Sequence, residues 1–457
     1  MDIEANTSPQ YPISTERELD FAKADTFYAT HRMHSFSAKF PPQLPDWGLD
    51  TFSQPGDWVL DPFVGSGTLL VEARLKGRHS LGIDIDPLAR LISKVKSTPL
   101  EPRQLDLDVL SVISELSLMK ADLCTARECN GVDSLLRDYH ADIPDFPNRD
   151  YWFLRPVQEE LALLKALISR QSARDFVDFL CVVFSAIIIT KGKTSVANVR
   201  DLAHSRPHFA EPDQTPDVFG QFEQKLERLQ QSIIDFSNRC DPTVQAQVIG
   251  NDARKIPLPD GCVDLIFTSP PYVNAIDYPR AHKFSIFWLS EFLHTTPDAY
   301  KNLGAEFVGT DRVPLAECHE VLESQSGIVR LNKTLADIAA QDVKKAGVTG
   351  RYFHDMAASI TEMCRVLRSG KKAIIIVSSS NIKGINVETH QILAEMAENT
   401  RLHNRHTGKR VGFKVDEIAE RVLDDSKRQL PYIRGDNGAG MRTEYVIILD
   451  KVERARD

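Results

Sequence analysis

Cysteine is scarce in this chain and is not arranged as a set of metal ligands. The seven cysteines show no Cys-x-x-Cys or Cys/His zinc spacing, so the sequence predicts reduced thiols and no metal. No apolar run is long enough to cross a bilayer, since the longest, from Phe179 to Thr190, is typical of a buried helix. Met1–Ala5 lacks the pattern of a signal peptide. These absences predict a cytoplasmic protein with no membrane partner.

The chain also lacks an overall positive charge. It has 55 Lys and Arg against 64 Asp and Glu, a net charge of −9, which argues against a surface coated throughout by nucleic acid. Locally the balance reverses: from Arg401 to Arg434 there are nine basic and five acidic residues, and 191–208 is a second basic stretch. Each stretch is either an ordinary solvated face or a surface that contacts phosphates and base edges.

Two common phosphate-binding patterns are missing from a glycine turn that follows a short predicted strand. Trp58–Asp61 reads as the strand, and Gly65 and Gly67 lie in the turn before a helical pattern. A dinucleotide fingerprint needs a third glycine where Leu70 stands, and no Gly-Lys-Ser/Thr ends the turn as in a P-loop. The two glycines still let the backbone approach a ligand at the N-terminus of a helix.

A Ser-Pro-Pro-Tyr sequence follows a second buried strand. The apolar run Val263–Phe267 predicts a parallel strand. Pro270 and Pro271 cannot continue it, because proline has no N–H to donate. The chain therefore leaves the sheet with Ser269 and Tyr272 on a stiff support, at the sheet edge where open α/β folds bind ligands.

Two more strand ends carry acidic residues. The segment Leu81–Pro87 reads as a short strand that ends in a carboxylate, Asp84, and 247–254 reads as a strand that runs into an acidic loop at Asp252. Either acid alone could be a helix N-cap or a solvated loop residue. Four ligand-like strand ends in succession favour one shared binding edge.

Together these motifs resemble the amino-methyltransferases that use S-adenosylmethionine (AdoMet), specifically the DNA methyltransferases that act on exocyclic amines. Asp61–Thr68 is similar to their AdoMet loop, Thr268–Tyr272 to their catalytic motif, and His34–Leu44 to the segment that helps hold the methionine part of AdoMet. The resemblance implies an α/β fold: a seven-stranded Rossmann-like sheet with helices on both faces and an antiparallel last strand. Members with Ser at the first catalytic position mostly methylate N4 of cytosine, and those with Asp mostly N6 of adenine.

The resemblance also implies residue roles. Asp61 and Phe63 would line the methionine end of the pocket, Asp84 would accept the ribose hydroxyls, and Asp252 would lie near the adenine. Lys39 either pairs with the methionine carboxylate or is a solvated surface lysine. The full cofactor-binding set is Lys39, Phe40, Pro41, Asp61, Pro62, Phe63, Gly65, Ser66, Gly67, Thr68, Asp84, Ile85, Asp252 and Ala253, and the catalytic set is Ser269, Pro270, Pro271 and Tyr272.

The chemistry of an aromatic amine explains these residue types. Its lone pair is delocalised into the ring, so it attacks well only when its hydrogens are held, here by the Ser269 side chain and the Pro270 carbonyl. Tyr272 would stack on a base swung out of the helix. Methylation at cytosine C5 would need a cysteine that follows a proline in its family, and no cysteine here does.

The sequence predicts four segments. Residues 1–30 are an N-terminal extension, 31–97 and 245–457 form the catalytic domain, and 98–244 is a mostly helical insertion. The helical insertion, with amphipathic stretches at 105–123, 157–168 and 218–236, is the main candidate for a DNA-recognition or clamping region. A second, smaller insertion at 302–349 is polar and expected to be irregular. Other expected elements are helices at 44–52, 87–96, 353–367 and 387–399 and strands at 372–377 and 444–449.

The predicted function is a site-specific DNA methyltransferase that transfers a methyl group from AdoMet to N4 of cytosine. The alternatives are N6 of adenine, an RNA base amine, and a non-catalytic AdoMet- or nucleic-acid-binding module. The expected partner is double-stranded DNA. A cognate restriction endonuclease could act on the same site without forming a stable complex.

Overall fold

A nine-stranded sheet runs through the protein in the computed structural model, which describes residues 8–21, 23–36, 39–190, 195–199, 215–273, 278–324, 326–403, 408–423 and 443–454. The strands are β1 (Ile13–Ser14), β2 (Trp58–Asp61), β3 (His79–Ile83), β4 (Ala246–Gly250), β5 (Val263–Thr268), β6 (Leu367–Val377), β7 (Ser380–Ile382), β8 (Ile385–Val387), β9 (Leu402–His403), β10 (Arg410–Val422) and β11 (Thr443–Arg454). The sheet order is β1-β10-β11-β6-β5-β2-β3-β4, β9 pairs with β10, and β7 and β8 form a separate hairpin.

The strand directions confirm the predicted fold class. From β4 through β3, β2 and β5 to β6 all neighbours are parallel, whereas β11 runs antiparallel to both β6 and β10. These seven strands are the expected sheet, and the two-residue strands β1 and β9 extend it at β10. The carboxyl ends of the five parallel strands and the amino end of β11 therefore meet at one edge.

Fifteen helices are described. They are α1 (Gln43–Phe52), α2 (Thr68–Leu75), α3 (Pro87–Ser97), α4 (Pro102–Glu128), α5 (Val132–Asp138), α6 (Arg149–Trp152), α7 (Arg155–Ser169), α8 (Arg174–Ile188), α9 (Val218–Arg239), α10 (Tyr278–Trp288), α11 (Pro297–Leu303), α12 (Leu315–Glu323), α13 (Val329–Ala339), α14 (Val343–Val366) and α15 (Thr389–Asn399).

Helices cover both faces of the sheet, because alternate strand residues point to opposite sides. On β5, Phe267 packs into a cluster with α1 and α2, whereas its neighbour Ile266 packs into a cluster with α14 and α15. Ile374 and Ile375 on β6 divide in the same way. Both faces of the sheet are thus covered by apolar side chains, as expected of a mostly parallel sheet.

The described part of 98–244 contains the helices α4 to α9 and no strand, and the three predicted amphipathic stretches lie in α4, α7 and α9. α8 contains the long apolar run and is buried. The apolar faces of these helices share one cluster with Ile92 of α3 and with Phe284 and Trp288 of α10. The helical region is therefore packed directly against the helix that follows the catalytic motif.

The expectation that 302–349 is irregular is wrong. α12, α13 and the first two turns of α14 lie there, and α14 begins ten residues earlier than predicted. Leu331, Leu335 and Ile338 repeat at helical spacing and are buried, but the polar residues between them hid the period. Packing of this apolar stripe on the sheet side decides the structure.

Much of the two basic stretches lies outside the described residues, including Lys193, Arg200, Arg206, Arg405, Lys427, Arg428 and Arg434. Of the residues that are described, Asn198 is buried, and its backbone N–H donates to the Trp152 carbonyl at 2.8 Å. Lys409 forms an ion pair with Glu453 at 2.6 Å. Phosphate contact by these stretches stays a prediction.

Candidate active site

One buried hydrogen bond joins the glycine turn to the catalytic motif. Asp61, the last residue of β2, is 1% exposed, and its Oδ1 accepts from Thr268 Oγ1 at 2.6 Å and from the Phe63 N–H at 3.0 Å. Burial raises the pKa of Asp61 to about 7, against the effect of these two donors. Adjacent parallel strands β2 and β5 thus fix the two predicted motifs relative to each other.

The glycine turn needs its two glycines. Gly65 and Gly67 have φ of 47° and 75°, in the left-handed region that side chains disfavour. A Cβ on Gly67 would lie 2.7 Å from the Ser93 Cα, and one on Gly65 would lie 3.3 Å from the Phe36 ring. Pro62, Ser66 and Thr68 are buried, and α2 begins at Thr68. The turn presents bare backbone in front of a helix N-terminus, which suits an approaching ligand.

Asp84 lies beside that turn, as predicted. Its Oδ2 accepts from the Gly65 N–H and its Oδ1 from the Asp86 N–H, both at 2.9 Å. A carboxylate has about four lone-pair sites, so each oxygen keeps capacity for a hydroxyl donor. Burial, followed by the charge of Asp86, raises the pKa of Asp84 to about 6. The adjacent Ile85 is half-buried, and its carbonyl accepts from Arg90.

Two lysines lie near the turn, Lys96 buried and Lys39 half-buried, and the sequence identified only Lys39. Lys39 Nζ donates to the His31 carbonyl at 2.7 Å, and Lys96 Nζ donates to the Ser66 carbonyl at 2.6 Å. Burial lowers the pKa of Lys39 and lowers that of Lys96 well below its usual range. Lys39 is thus not a freely solvated surface lysine. Phe40 packs edge-on to the Phe267 ring, with Pro41 beside it at the start of α1.

The acidic residue that follows β4 differs from Asp61 and Asp84, because an arginine beside it already occupies its carboxylate. Asp252 follows β4, and its carboxylate accepts from the Arg254 backbone and side chain at 2.9 Å, while Ala253 is buried. Arg254 also pairs with Asp355 of α14. Asp252 thus lies at the predicted edge, but its carboxylate is partly used by its own neighbour.

The catalytic corner follows β5. Pro270 is buried and Ser269, Pro271 and Tyr272 are half-buried. The Tyr272 hydroxyl donates to Glu444 Oε1 at 2.9 Å. Burial and the nearby carboxylate raise the pKa of Tyr272 well above its usual value, so the phenol stays neutral. Ser269 and Tyr272 therefore lie in one short corner directly after β5.

An aromatic cluster beside the glycine turn was missed by sequence reasoning. Phe36 stacks on Tyr278 with ring centroids 5.6 Å apart and lies 5.2 Å from His282. His282 in turn bonds Asp86 at 2.8 Å. These residues come from three separate segments, so no local spacing could have revealed them. They close the side of the turn that faces α10.

This arrangement fits AdoMet, a ligand with a carboxylate, a ribose diol and an adenine. Side chains are excluded at Gly65 and Gly67, acceptor capacity remains on Asp84, and the Lys96 amine donates to the turn at the Ser66 carbonyl. Within the described part of the chain, no three His, Cys, Asp or Glu side chains are grouped so as to hold a metal ion. No described helix is long and apolar enough to cross a membrane.

Comparisons with known proteins agree with the site. Residues 11–94 match the N6/N4 methyltransferase family model, described as DNA methylase. The type II methyltransferase M.MvaI of Kocuria varians is 26% identical over 413 residues, covering 85% of each chain. M.BsoBI of Geobacillus stearothermophilus is 24% identical and covers 60% of this chain and 55% of its own. M.MjaII of Methanocaldococcus jannaschii is 33% identical over 110 residues, 24% of this chain and 21% of its own.

A solved rRNA methyltransferase, aviRa from Streptomyces viridochromogenes, aligns over 94% of both chains at 11% identity. Its TM-score of 0.28 is too low to indicate a shared fold. The family match contains the glycine turn, and the M.MvaI alignment extends over 85% of the chain. The family match and the type II relatives support an AdoMet-dependent DNA amino-methyltransferase, as the motifs predicted.

Proposed function

We propose that this protein methylates the exocyclic N4 amine of cytosine in double-stranded DNA, with AdoMet as methyl donor. One observation carries the proposal: the Thr268–Asp61 hydrogen bond fixes the Ser269–Tyr272 corner at the end of β5 to the glycine turn. A ligand on the turn and a base at the corner are then neighbours at one sheet edge.

The protein's part in the reaction is to hold the substrate amine and to orient its nitrogen lone pair. The Ser269 oxygen and the Pro270 carbonyl accept the two amine hydrogens, which directs the nitrogen lone pair out of the ring plane. Tyr272 supplies a neutral aromatic face for the extruded base. AdoMet, when bound, supplies an electrophilic methyl group, so no nucleophilic side chain is required.

The choice of base rests on Ser269. In the resembling family, serine at this position accompanies cytosine N4 methylation more often than adenine N6 methylation. N6 of adenine is the second candidate, because the matching family includes both activities. The same corner could hold either amine.

Recognition of the DNA is assigned to the helical region 98–244, with 302–349 as the second candidate. Packing of the helical region against α10 supports this, because it links a large surface to the element that follows the catalytic corner. The type II names of the relatives support a restriction–modification role, in which a nuclease acts on the same site.

The test is direct. The protein is incubated with AdoMet carrying a labelled methyl group and with double-stranded DNA or structured RNA, and the hydrolysed nucleosides are identified by mass spectrometry. Labelled N4-methylcytosine from DNA supports the proposal. N6-methyladenine would overturn the base assignment alone, and methyl transfer only to RNA would overturn the substrate.

A further inference from the structure

A short hairpin lies beside the catalytic corner and has no part in the proposed chemistry. β6 ends at the sheet edge where the corner lies, and β7 and β8 follow it directly. The Ser380 hydroxyl donates to the carbonyl of Val273 at 2.9 Å, and Val273 is the residue after Tyr272. The hairpin is therefore attached to the backbone of the corner that is proposed to receive the substrate base.

The two faces of the hairpin differ in chemistry, because alternate strand residues point to opposite sides. Ile382 and Val387 are buried in the apolar cluster that also contains Val273 and the buried stripe of α13. Asn381 and Asn386 are paired directly across the two strands, and both are exposed. The hairpin thus has one apolar face packed on the protein and one amide face in solvent.

The turn of the hairpin carries a lysine at a position where the backbone favours another residue. Lys383 and Gly384 both have positive φ, 55° and 80°, as in a two-residue type I′ turn, whose first position favours Asn or Asp. Lys383 is 45% exposed, and its ion pair with Asp342 has an N···O distance of 3.5 Å. An exposed pair of this kind contributes little to stability. Folding alone therefore does not explain a cation at the tip.

The exposed face of the hairpin matches duplex DNA in chemistry and in size. Asn381 Oδ1 accepts from the Gly384 N–H at 2.9 Å, which leaves its amide NH₂ as a donor, and Asn386 offers both a donor and an acceptor. Asparagine amides read base edges in the major groove, which is about 8.5 Å deep and admits a two-stranded β-ribbon. A three-residue strand spans roughly 10 Å. A lysine at the tip suits a phosphate.

We propose that the β7–β8 hairpin contacts the DNA next to the target base, with Asn381 and Asn386 at base edges in the major groove and Lys383 at a phosphate. The proposal rests on the proposed function and adds to it a recognition element outside 98–244 and 302–349. Because Ser380 is bonded to the corner backbone, a hairpin seated in the groove holds the corner beside the base that it receives.

Lys383→Asn separates DNA contact from folding, because Asn is favoured at this turn position but carries no charge. We expect its thermal unfolding midpoint to be no lower than that of the wild type. DNA binding should weaken, and the logarithm of the binding constant should fall less steeply with the logarithm of salt concentration, by about one unit of slope for one lost phosphate contact. Lys383→Arg keeps the charge and should keep the wild-type slope.

Asn386→Ala tests base readout. A pool of random-sequence duplexes is methylated, and the modified sites are identified by sequencing that detects methylated bases. We expect the preference at one position of the recognised site to fall roughly 10-fold in this variant, the loss of one amide–base contact. Lys383→Asn should instead weaken binding to all sequences alike. An unchanged site preference in Asn386→Ala would overturn base readout by the hairpin.

Lys371→Asn is the matched control. Lys371 also lies 3.5 Å from a carboxylate, that of Asp264, but at the opposite edge of the sheet, beside the start of β5. It should bind DNA with the wild-type affinity and salt dependence. If Lys383→Asn did the same, or if Lys383→Arg also lost the slope, the inference would be overturned while the proposed function stood. If the wild-type protein transferred no methyl group to DNA, both would fall.

Discussion

Thr268 donates its hydroxyl hydrogen to Asp61 across 2.6 Å, and both side chains are buried. The bond crosses between neighbouring strands, from the last residue of β5 to the last residue of β2. It fixes the distance between the predicted cofactor turn and the predicted catalytic corner. The glycine turn and the catalytic motif are about 200 residues apart in the sequence, but this bond holds them next to each other in the fold.

Replacing Thr268 by Val keeps the side-chain shape and removes this donor. Because the Asp61 oxygen stays buried, we expect the free energy of unfolding to fall by about 1–3 kcal/mol in urea titrations. Thr361→Val on α14, whose hydroxyl bonds only its own helix at Ala357, is the control. Equal losses in the two variants would show that the Asp61 contact contributes nothing.

The raised pKa of Asp61 gives stability a pH dependence. Between its usual value near 3.8 and about 7, folded Asp61 keeps a proton that the unfolded chain has released. Its contribution to stability is therefore fully present below about pH 4 and is lost as the pH rises through 7. In Asp61→Asn, the free energy of unfolding should lack this pH-dependent decrease, which is on the order of 2–4 kcal/mol in the wild type. An unchanged profile in urea unfolding from pH 4.5 to 8 would contradict this.

Gly67→Ala should destabilise the protein more than Gly56→Ala. Both glycines have positive φ, so each pays roughly 1–2 kcal/mol for the left-handed backbone. Only at Gly67 does the new Cβ meet other atoms, 2.7 Å from Ser93, whereas nothing lies within 4 Å at Gly56. Thermal unfolding of both variants measures the difference, and equal midpoints would mean that the turn can shift away from α3.

AdoMet affinity should follow the ionisation of Asp84. Its pKa is about 6, and the ionised carboxylate is the better acceptor for ribose hydroxyls, so the dissociation constant should fall as the pH rises from 5 to 7.5. Asp84→Asn should weaken binding about 10-fold, the loss of a charge-assisted bond, and flatten this dependence in calorimetric titrations. Asp108→Asn on the distant helix α4 should bind as the wild type does. A steep dependence that survives in Asp84→Asn would assign it to another group.

Ser269→Ala and Tyr272→Ala should each reduce turnover by roughly 100-fold or more while AdoMet binding survives, because the proposed function places both at the base rather than at the cofactor. Ser117→Ala, exposed on α4, should not change turnover. Filter-binding of methylated DNA and AdoMet titration separate the two effects. Turnover at the wild-type level in either corner variant would misplace the catalytic pocket.

Local sequence predicted those parts of the site that depend on local chemistry. Each of these features, namely the buried strands, the glycine turn and the proline corner, is recognisable from about ten consecutive residues. Asp61, Asp84 and Ser269 lie at the ends of strands, as those patterns predicted. The contacts that complete the site are long-range. Glu444 lies 172 residues from Tyr272, and Phe36, Asp86 and His282 meet only in the fold, so no spacing rule reveals them.

Strand β10 was missed for a different reason. Its middle, from Lys414 to Arg421, is rich in charge, and the span that contains it was read as a basic surface. In the sheet, Arg421 is buried against Glu444, and its charge is balanced across the hairpin. Charge counted along a segment does not show which residues pair with charges elsewhere.

The position of β11 has a consequence for biosynthesis. It is the last described strand in the chain, yet it lies inside the sheet, hydrogen-bonded to β6 on one side and β10 on the other. Until residues 443–454 leave the ribosome, the backbone groups of β6 and β10 that face β11 have no strand to pair with. A nascent chain stalled before Thr443 should therefore expose two unpaired, aggregation-prone strand edges. It should depend on chaperones, even though its glycine turn has already been synthesised.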